Sequence, residues 1–127
     1  MATPKAKSLF LVVNVDWFFL SHRLPIALAA KESGYDVTII AIDSGQSEKI
    51  KSYGLKFMAI PTSRSGLNIF SEIRTLLFFI QRYRTEKPDI VHHVAMKPVI
   101  YGSLAARFTG IRKVVNAFSG MGFVFTT

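Results

Sequence analysis

Two kinds of segment alternate along this chain, and the alternation leaves few ways to fold it. Residues 8–13 (SLFLVV), 36–43 (DVTIIAID), 55–61 (LKFMAIP), 88–94 (PDIVHHV) and 112–118 (RKVVNAF) are short apolar runs rich in β-branched residues. Such runs predict strands buried on both faces. Between them lie stretches with helical spacing. Ser21 is placed to cap a helix over 22–33, where Pro25 is tolerable because it falls in the first turn, and Gly34 closes it. A short helix over 47–53 stops at Gly54. A longer one over 69–86 is capped by Asn68 and ends ahead of Pro88, and a fourth covers 97–109. Strand then helix, repeated with short polar joints, is satisfied by a parallel sheet wound right-handed with helices on both faces. The expected fold is a Rossmann-like three-layer α/β/α sandwich.

In such sheets the ligand crevice opens beyond the carboxyl ends of the strands. The connections at 14–20, 43–46, 61–67, 93–97 and 117–122 are therefore where a site should lie. They collect Asp16, Arg64, Ser65, Gly66, His93, Lys97, Ser119 and Gly120. Each also has a plain structural reading: Arg64 as a solvated loop cation, His93 as a satisfied histidine under the sheet rim, the glycines as turn formers. Their convergence on one rim is what marks them as candidates.

With 127 residues the chain makes about one domain. Half of its residues are hydrophobic and 19% are charged, which excludes a disordered tail. It has no cysteine, which excludes a disulfide scaffold and thiolate metal sites and favours the cytoplasm. Lys5 and Lys7 ahead of an apolar run could open a signal peptide, but Asn14 and Asp16 cut that run short, so it reads as a first strand. The apolar ending FVFTT leads us to expect a piece of a longer protein. The formal charge of +8 suits nucleic acid, anionic lipid or phosphorylated ligands, or a face covered by an acidic remainder of the protein.

Familiar signatures are missing. Neither GxGxxG nor GxxxxGK[ST] occurs, and His22, His92 and His93 lack the spacing of a helical zinc motif, so no cofactor and no metal are expected. Trp17, Phe18 and Phe19 fall in the connection after the first strand. They either pack beneath the first helix as a core edge or line a slot for an apolar chain or a sugar face. In the 69–86 segment, Ile69, Ile73, Leu76, Leu77 and Ile80 form the expected core-facing stripe. Phe70, Phe78 and Phe79 broaden it, and Arg74, Arg82, Arg84 and Lys87 lie alongside; such a surface suits either burial in the sandwich or anionic lipid.

Four pieces in register carry a specific resemblance: DWFFLSHRLPIALAAKESGYDVTIIA, IPTSRSGLN, PDIVHHVAMKPVIYGSLAAR and VNAFSGMGFVFT. Together they resemble the N-terminal domain of bacterial family 4 glycosyltransferases, retaining enzymes of GT-B architecture. The similarity is greatest to members that build capsular, O-antigen or other saccharides on undecaprenyl diphosphate. The resemblance implies that residues 1–127 form the acceptor-side Rossmann-like domain, with the donor-binding domain outside this chain. It implies that Arg23, Arg64 and Lys97 pair with diphosphate oxygens, and that Ser65, Ser119, Gly120 and Trp17 help bind substrate. His93 or its neighbour would sit by the sugar, although some relatives carry the histidine where Met96 stands here, and Asp16 would orient an acceptor hydroxyl. The implied partners are a nucleotide sugar, a polyprenyl-diphosphate or saccharide acceptor and an anionic membrane surface at the cytoplasmic side, with no nucleic acid. Rival readings are a UDP-sugar epimerase of the same architecture, a flavodoxin-like binding domain and a nucleic-acid module. The last is disfavoured because the aromatics sit in apolar runs instead of alternating with Lys and Arg.

Overall fold

A computed structural model describes residues 7–61, 69–94 and 96–117, with the side chains of residues 69, 71, 96 and 97 outside that description. Its strands are β1 (Ser8–Val15), β2 (Asp36–Ile42), β3 (Lys56–Ala59), β4 (Ile90–Val94) and β5 (Lys113–Ala117). All pair in parallel in the order β3-β2-β1-β4-β5. The helices are α1 (Asp16–Phe18), a π-helical segment Phe19–Arg23, α2 (Leu24–Glu32), α3 (Ser47–Ser52), α4 (Ile69–Glu86) and α5 (Met96–Thr109). This is the expected Rossmann-like sandwich. β1 lies at its centre because it is the most continuously apolar run, and five of its eight residues in a row, Leu9 to Val13, are buried.

Successive side chains of a strand point to opposite faces, so each strand feeds two cores. Leu9, Leu11, Val13, Val37, Ile39 and Ala41 pack on one face with Phe19, Ala27 and Ile50. Phe10, Val12, Ile40 and Val91 pack on the other with Phe79, Tyr83, Ala105 and Ala106. The first face is covered by α2 and α3, the second by α4 and α5. Gly34 ends α2 at φ +98°, a conformation that costs glycine nothing, and donates its N–H to Lys31 as the chain turns into β2.

Two expectations change. The 14–20 connection is not a loop capped by Ser21: β1 runs directly into helix at Asp16, and no side chain caps α2. The physical reason is Pro25, whose ring would crowd the Ser21 carbonyl in a regular helix. The wider π segment ahead of it relieves that clash while keeping the chain helical. The second change concerns α4. Ile73 and Leu77 are 49% and 58% exposed, Ile80 packs against the core as expected, and the buried residues of the helix are Thr75, Phe79 and Tyr83. The aromatic ridge wins because Tyr83 meets Phe10 tilted and Phe79 edge-to-face, with centroids 5.7 and 5.9 Å apart, contacts that the slimmer aliphatic ridge could not supply.

Candidate functional site at the carboxyl edge of the sheet

The chain turns sharply where β1 ends. Its pairing with β2 slips between Val12 and Val15, a bulge that re-aims the residues that follow. Asp16 comes directly after it, fully buried. One carboxylate oxygen accepts the Trp17 N–H at 2.8 Å and the Ser44 hydroxyl; the other accepts the N–H groups of Ser44 and Gln46, each at 2.9 Å. Burial pushes this carboxyl up, but the Ser44 hydroxyl and the backbone donors outweigh it and hold it below the usual carboxylate range. Asp16 thus ties the first turn after β1 to the β2–α3 connection.

The three aromatics after Asp16 differ in burial. Phe19 is fully buried in the core under α2. Phe18 is half-buried and stacks on His22 at 4.4 Å. Trp17 stays 49% exposed at the rim, edge-on to Phe18 at 6.3 Å. A rigid indole at the carboxyl edge offers a flat apolar face that suits a sugar ring or an isoprene unit.

Arg23 closes the π segment, and its Nε is buried without a hydrogen-bond partner among the described residues. Its charge reaches His92 on β4, whose pKa is pushed down first by burial and then by that guanidinium. Arg23 and His92 therefore occupy one neighbourhood on the face shared with α2. An arginine nitrogen left unpaired inside the protein is a donor waiting for an acceptor, and phosphate oxygens are the acceptors guanidinium fits best.

His93 points the other way. It is fully buried against α5, with Nε2 accepting from the Tyr83 hydroxyl at 2.7 Å and Nδ1 donating to Asn116 Oδ1 at 2.9 Å. Burial pushes the Tyr83 phenol up, so it remains a donor. Burial also pushes His93 down, against the Asn116 hydrogen bond and with the help of His92, to about 4. Asn116 Nδ2 continues the line to Ser103 Oγ at 3.1 Å. Gly102 of α5 makes the approach possible, since a Cβ there would lie 2.1 Å from His93 Nε2. With both ring nitrogens taken, His93 holds β4, α4, α5 and β5 together and presents no free nitrogen to the rim.

Asp16, Trp17 and Arg23 are thus gathered on one segment at the carboxyl edge, whereas His93 lies inside the opposite layer. Lys97 belongs to the first turn of α5, on the same edge. Arg64, Ser65, Ser119 and Gly120 lie outside the described residues. Two grooves among the described residues open at the other, amino edge, one of them lined by Lys7, Asp36, Lys56, Glu86 and Asp89. There Lys56 and Asp36 form an ion pair at 2.9 Å. The two residues that the sequence reading passed over are Ser44 and Gln46. Their position in a short connection after a strand was visible, but their partner was not.

Comparison with known proteins follows the same outline. Residues 8–127 match the family model described as glycosyl transferase 4-like. The chain is 27% identical over 92 residues to the UDP-Gal:α-D-GlcNAc-diphosphoundecaprenol α-1,3-galactosyltransferase of Escherichia coli, covering 72% of this chain and 24% of that protein. It is likewise 27% identical over 112 residues to the N,N'-diacetylbacillosaminyl-diphospho-undecaprenol α-1,3-N-acetylgalactosaminyltransferase of Campylobacter jejuni, covering 82% of this chain and 30% of that one. Among solved structures, MurG of Acinetobacter baumannii superposes with a TM-score of 0.72 at 18% identity, over 88% of this chain and 35% of that one. The chain therefore spans about a quarter to a third of the length of these proteins.

Proposed function

This chain belongs to the glycosyl transferase 4-like family, and on that premise we propose that it forms the acceptor-side domain of a transferase. The complete enzyme would move a sugar from a nucleotide-sugar donor onto an undecaprenyl-diphosphate-linked acceptor in the synthesis of a cell-surface saccharide. The observation that carries this reading is the lipid carrier shared by the acceptors of the two relatives. They differ in the sugar they transfer, yet both are named for acceptors on diphosphoundecaprenol, and both match this chain over most of its length.

Arg23, Arg64 and Lys97 are the proposed diphosphate-binding cations. The unpaired Nε of Arg23 supports its place among them. Trp17 would stack on the acceptor sugar or its first isoprene unit, and Ser65, Ser119 and Gly120 would supply hydroxyl and backbone donors. Asp16 acts here through position: by holding the β2–α3 connection against the β1 turn, it fixes the rim on which Trp17 and Arg23 stand. The nucleotide sugar would bind in the second domain, no metal or cofactor enters the scheme, and no side chain of this domain is assigned as nucleophile. Work on a membrane-held acceptor would put the enzyme at the cytoplasmic face of the membrane as a peripheral protein.

The test uses the complete enzyme, labelled nucleotide sugars and an undecaprenyl-diphosphate-linked saccharide. Label should appear in the lipid fraction only when both substrates are present. Interconversion of the nucleotide sugar without transfer would instead mean an epimerase. In the same assay Arg64→Ala should weaken acceptor or donor binding by about 1.5 to 3 kcal/mol, with Arg64→Lys recovering part of it and the melting temperature unchanged. Unchanged Michaelis constants would remove Arg64 from the site.

A further inference from the structure

Trp17 and Asp43 leave the sheet at neighbouring points of its carboxyl edge. Val15 of β1 is in register with Ile42 of β2, and adjacent strands run about 4.8 Å apart, so the residues that follow, Asp16 and Asp43, emerge together. The two chains stay close beyond that point, because the Asp16 carboxylate holds the Trp17 N–H, the Ser44 N–H and the Ser44 hydroxyl at once.

Neither side chain is spent on the fold. Trp17 is 49% exposed, edge-on to Phe18, and its indole N–H has no acceptor among the described residues. Asp43 is exposed. One of its oxygens accepts the Gly45 N–H at 2.9 Å, and the other has no hydrogen-bond partner among the described residues. The other acids at this edge are committed: Asp16 is buried beneath its donors, and Glu48 pairs with Lys51 at 3.7 Å. Asp43 has no cation partner among the described residues, in a chain with 16 Lys and Arg against 8 Asp and Glu. The space beside its turn is open, since a Cβ at Gly45 would meet nothing within 4 Å.

An indole face and a free carboxylate, taken together, select among ligands. A pyranose presents a C–H face that packs on an aromatic ring and a rim of hydroxyls that donate to a carboxylate. An isoprene unit would cover the indole as well, but it would strip water from Asp43 and return no hydrogen bond. A sugar with its own carboxylate would meet Asp43 as a like charge. We propose that Trp17 and Asp43 form the subsite for the acceptor sugar, that its occupant is a neutral sugar ring, and that Asp43 sets this specificity by accepting ring hydroxyls and repelling acidic sugars. The assignment rests on the acceptor-side reading, but free sugars test it without lipid, diphosphate or transfer, so either can fail alone.

Trp17 is the single tryptophan of the chain, so its fluorescence reports on the subsite directly. The experiment titrates the chain with methyl glycosides of glucose, galactose and N-acetylglucosamine, with methyl glucuronide and methyl galacturonide, and with geraniol. At least one neutral glycoside should shift the emission saturably, the uronides should bind about tenfold more weakly or worse, and geraniol should leave the indole unperturbed. Asp43→Asn keeps the turn, because an amide oxygen can still accept the Gly45 N–H. It should weaken the neutral glycoside about tenfold and erase the preference over the uronides. Glu48→Gln removes a neighbouring charge and should change neither, which separates a contact from the general field of the edge. Circular dichroism checks both folds. An emission that no glycoside shifts, a shift by geraniol alone, a preference that survives Asp43→Asn, or one that Glu48→Gln also removes would each overturn the proposal.

Discussion

Beneath α2 and α3 the sheet buries Leu9, Leu11, Val13, Val37 and Ile39 against Phe19 and Ile50, all of them apolar. Beneath α4 and α5 it buries Phe10, Val12 and Ile40 beside a hydrogen-bonded line of Tyr83, His93, Asn116 and Ser103. The same strands supply both layers, yet the first depends on filled volume and the second on protonation and close approach. Dispersion and burial tolerate small shifts of position. A histidine with both nitrogens engaged tolerates neither a shift nor a proton. The outside surfaces differ as well: the apolar-filled layer carries mixed charges, while the layer with the polar interior shows apolar ridges to solvent.

This contrast can be broken in a definite order. Phe19→Ala should cost about 4 kcal/mol of folding stability, the usual range for a fully buried phenylalanine, and urea titration should return the same loss at pH 7 and pH 5. A strongly pH-dependent loss would mean that the layers are not chemically separate.

Acid should act chiefly on the other layer, since His92 on the α2 face is only half-buried where His93 is fully buried. The unfolded chain takes up a proton on His93 below 6.5, whereas the folded chain refuses it until about 4. Stability supplied by His93 is thus complete above 6.5 and falls as pH drops toward 4. The expected fall between pH 7 and pH 4 is about 3 kcal/mol, and His93→Gln should flatten that part of the profile. Asp16, whose carboxyl is held below 3.8, gives up its share only in still stronger acid, so the two windows are separable. A profile that His93→Gln leaves unaltered would contradict the buried, neutral histidine.

The smallest of the three effects sharpens the comparison at one atom. Gly102→Ala should cost about 2 kcal/mol through overpacking against the imidazole. In a His93→Ala background the same substitution should cost much less, because the clashing ring is gone. Additive losses would place the strain elsewhere in α5.

How far the sequence could be read follows the same division. Each of the five strands was legible because unbroken β-branched runs admit little else, and the parallel order followed from the helices between them. The plain reading of His93 as a satisfied histidine was open in the sequence, but the partners of the histidine pair were not legible. In IVHHV both faces of β4 are buried, so period-two alternation gives no sign of which histidine meets Arg23 and which meets Tyr83. The stripe on α4 was misread for a related reason: aliphatic and aromatic ridges of similar hydropathy compete, and the sheet surface decides between them. The helical entry at Asp16 escaped because its support comes from Ser44 and Gln46, twenty-eight and thirty residues away. Of the candidate site, the sequence located the edge; which of its members share a neighbourhood depended on contacts across the sheet.

The account turns on this chain being the acceptor side. Isothermal titration of the 127-residue chain with a short-chain polyprenyl-diphosphate-linked sugar, and separately with UDP-sugars, tests that directly. Saturable binding of the lipid-linked sugar, weakened by Arg23→Ala, with no binding of UDP-sugars, is the predicted result. Binding of UDP-sugars without binding of the polyprenyl diphosphate would contradict it.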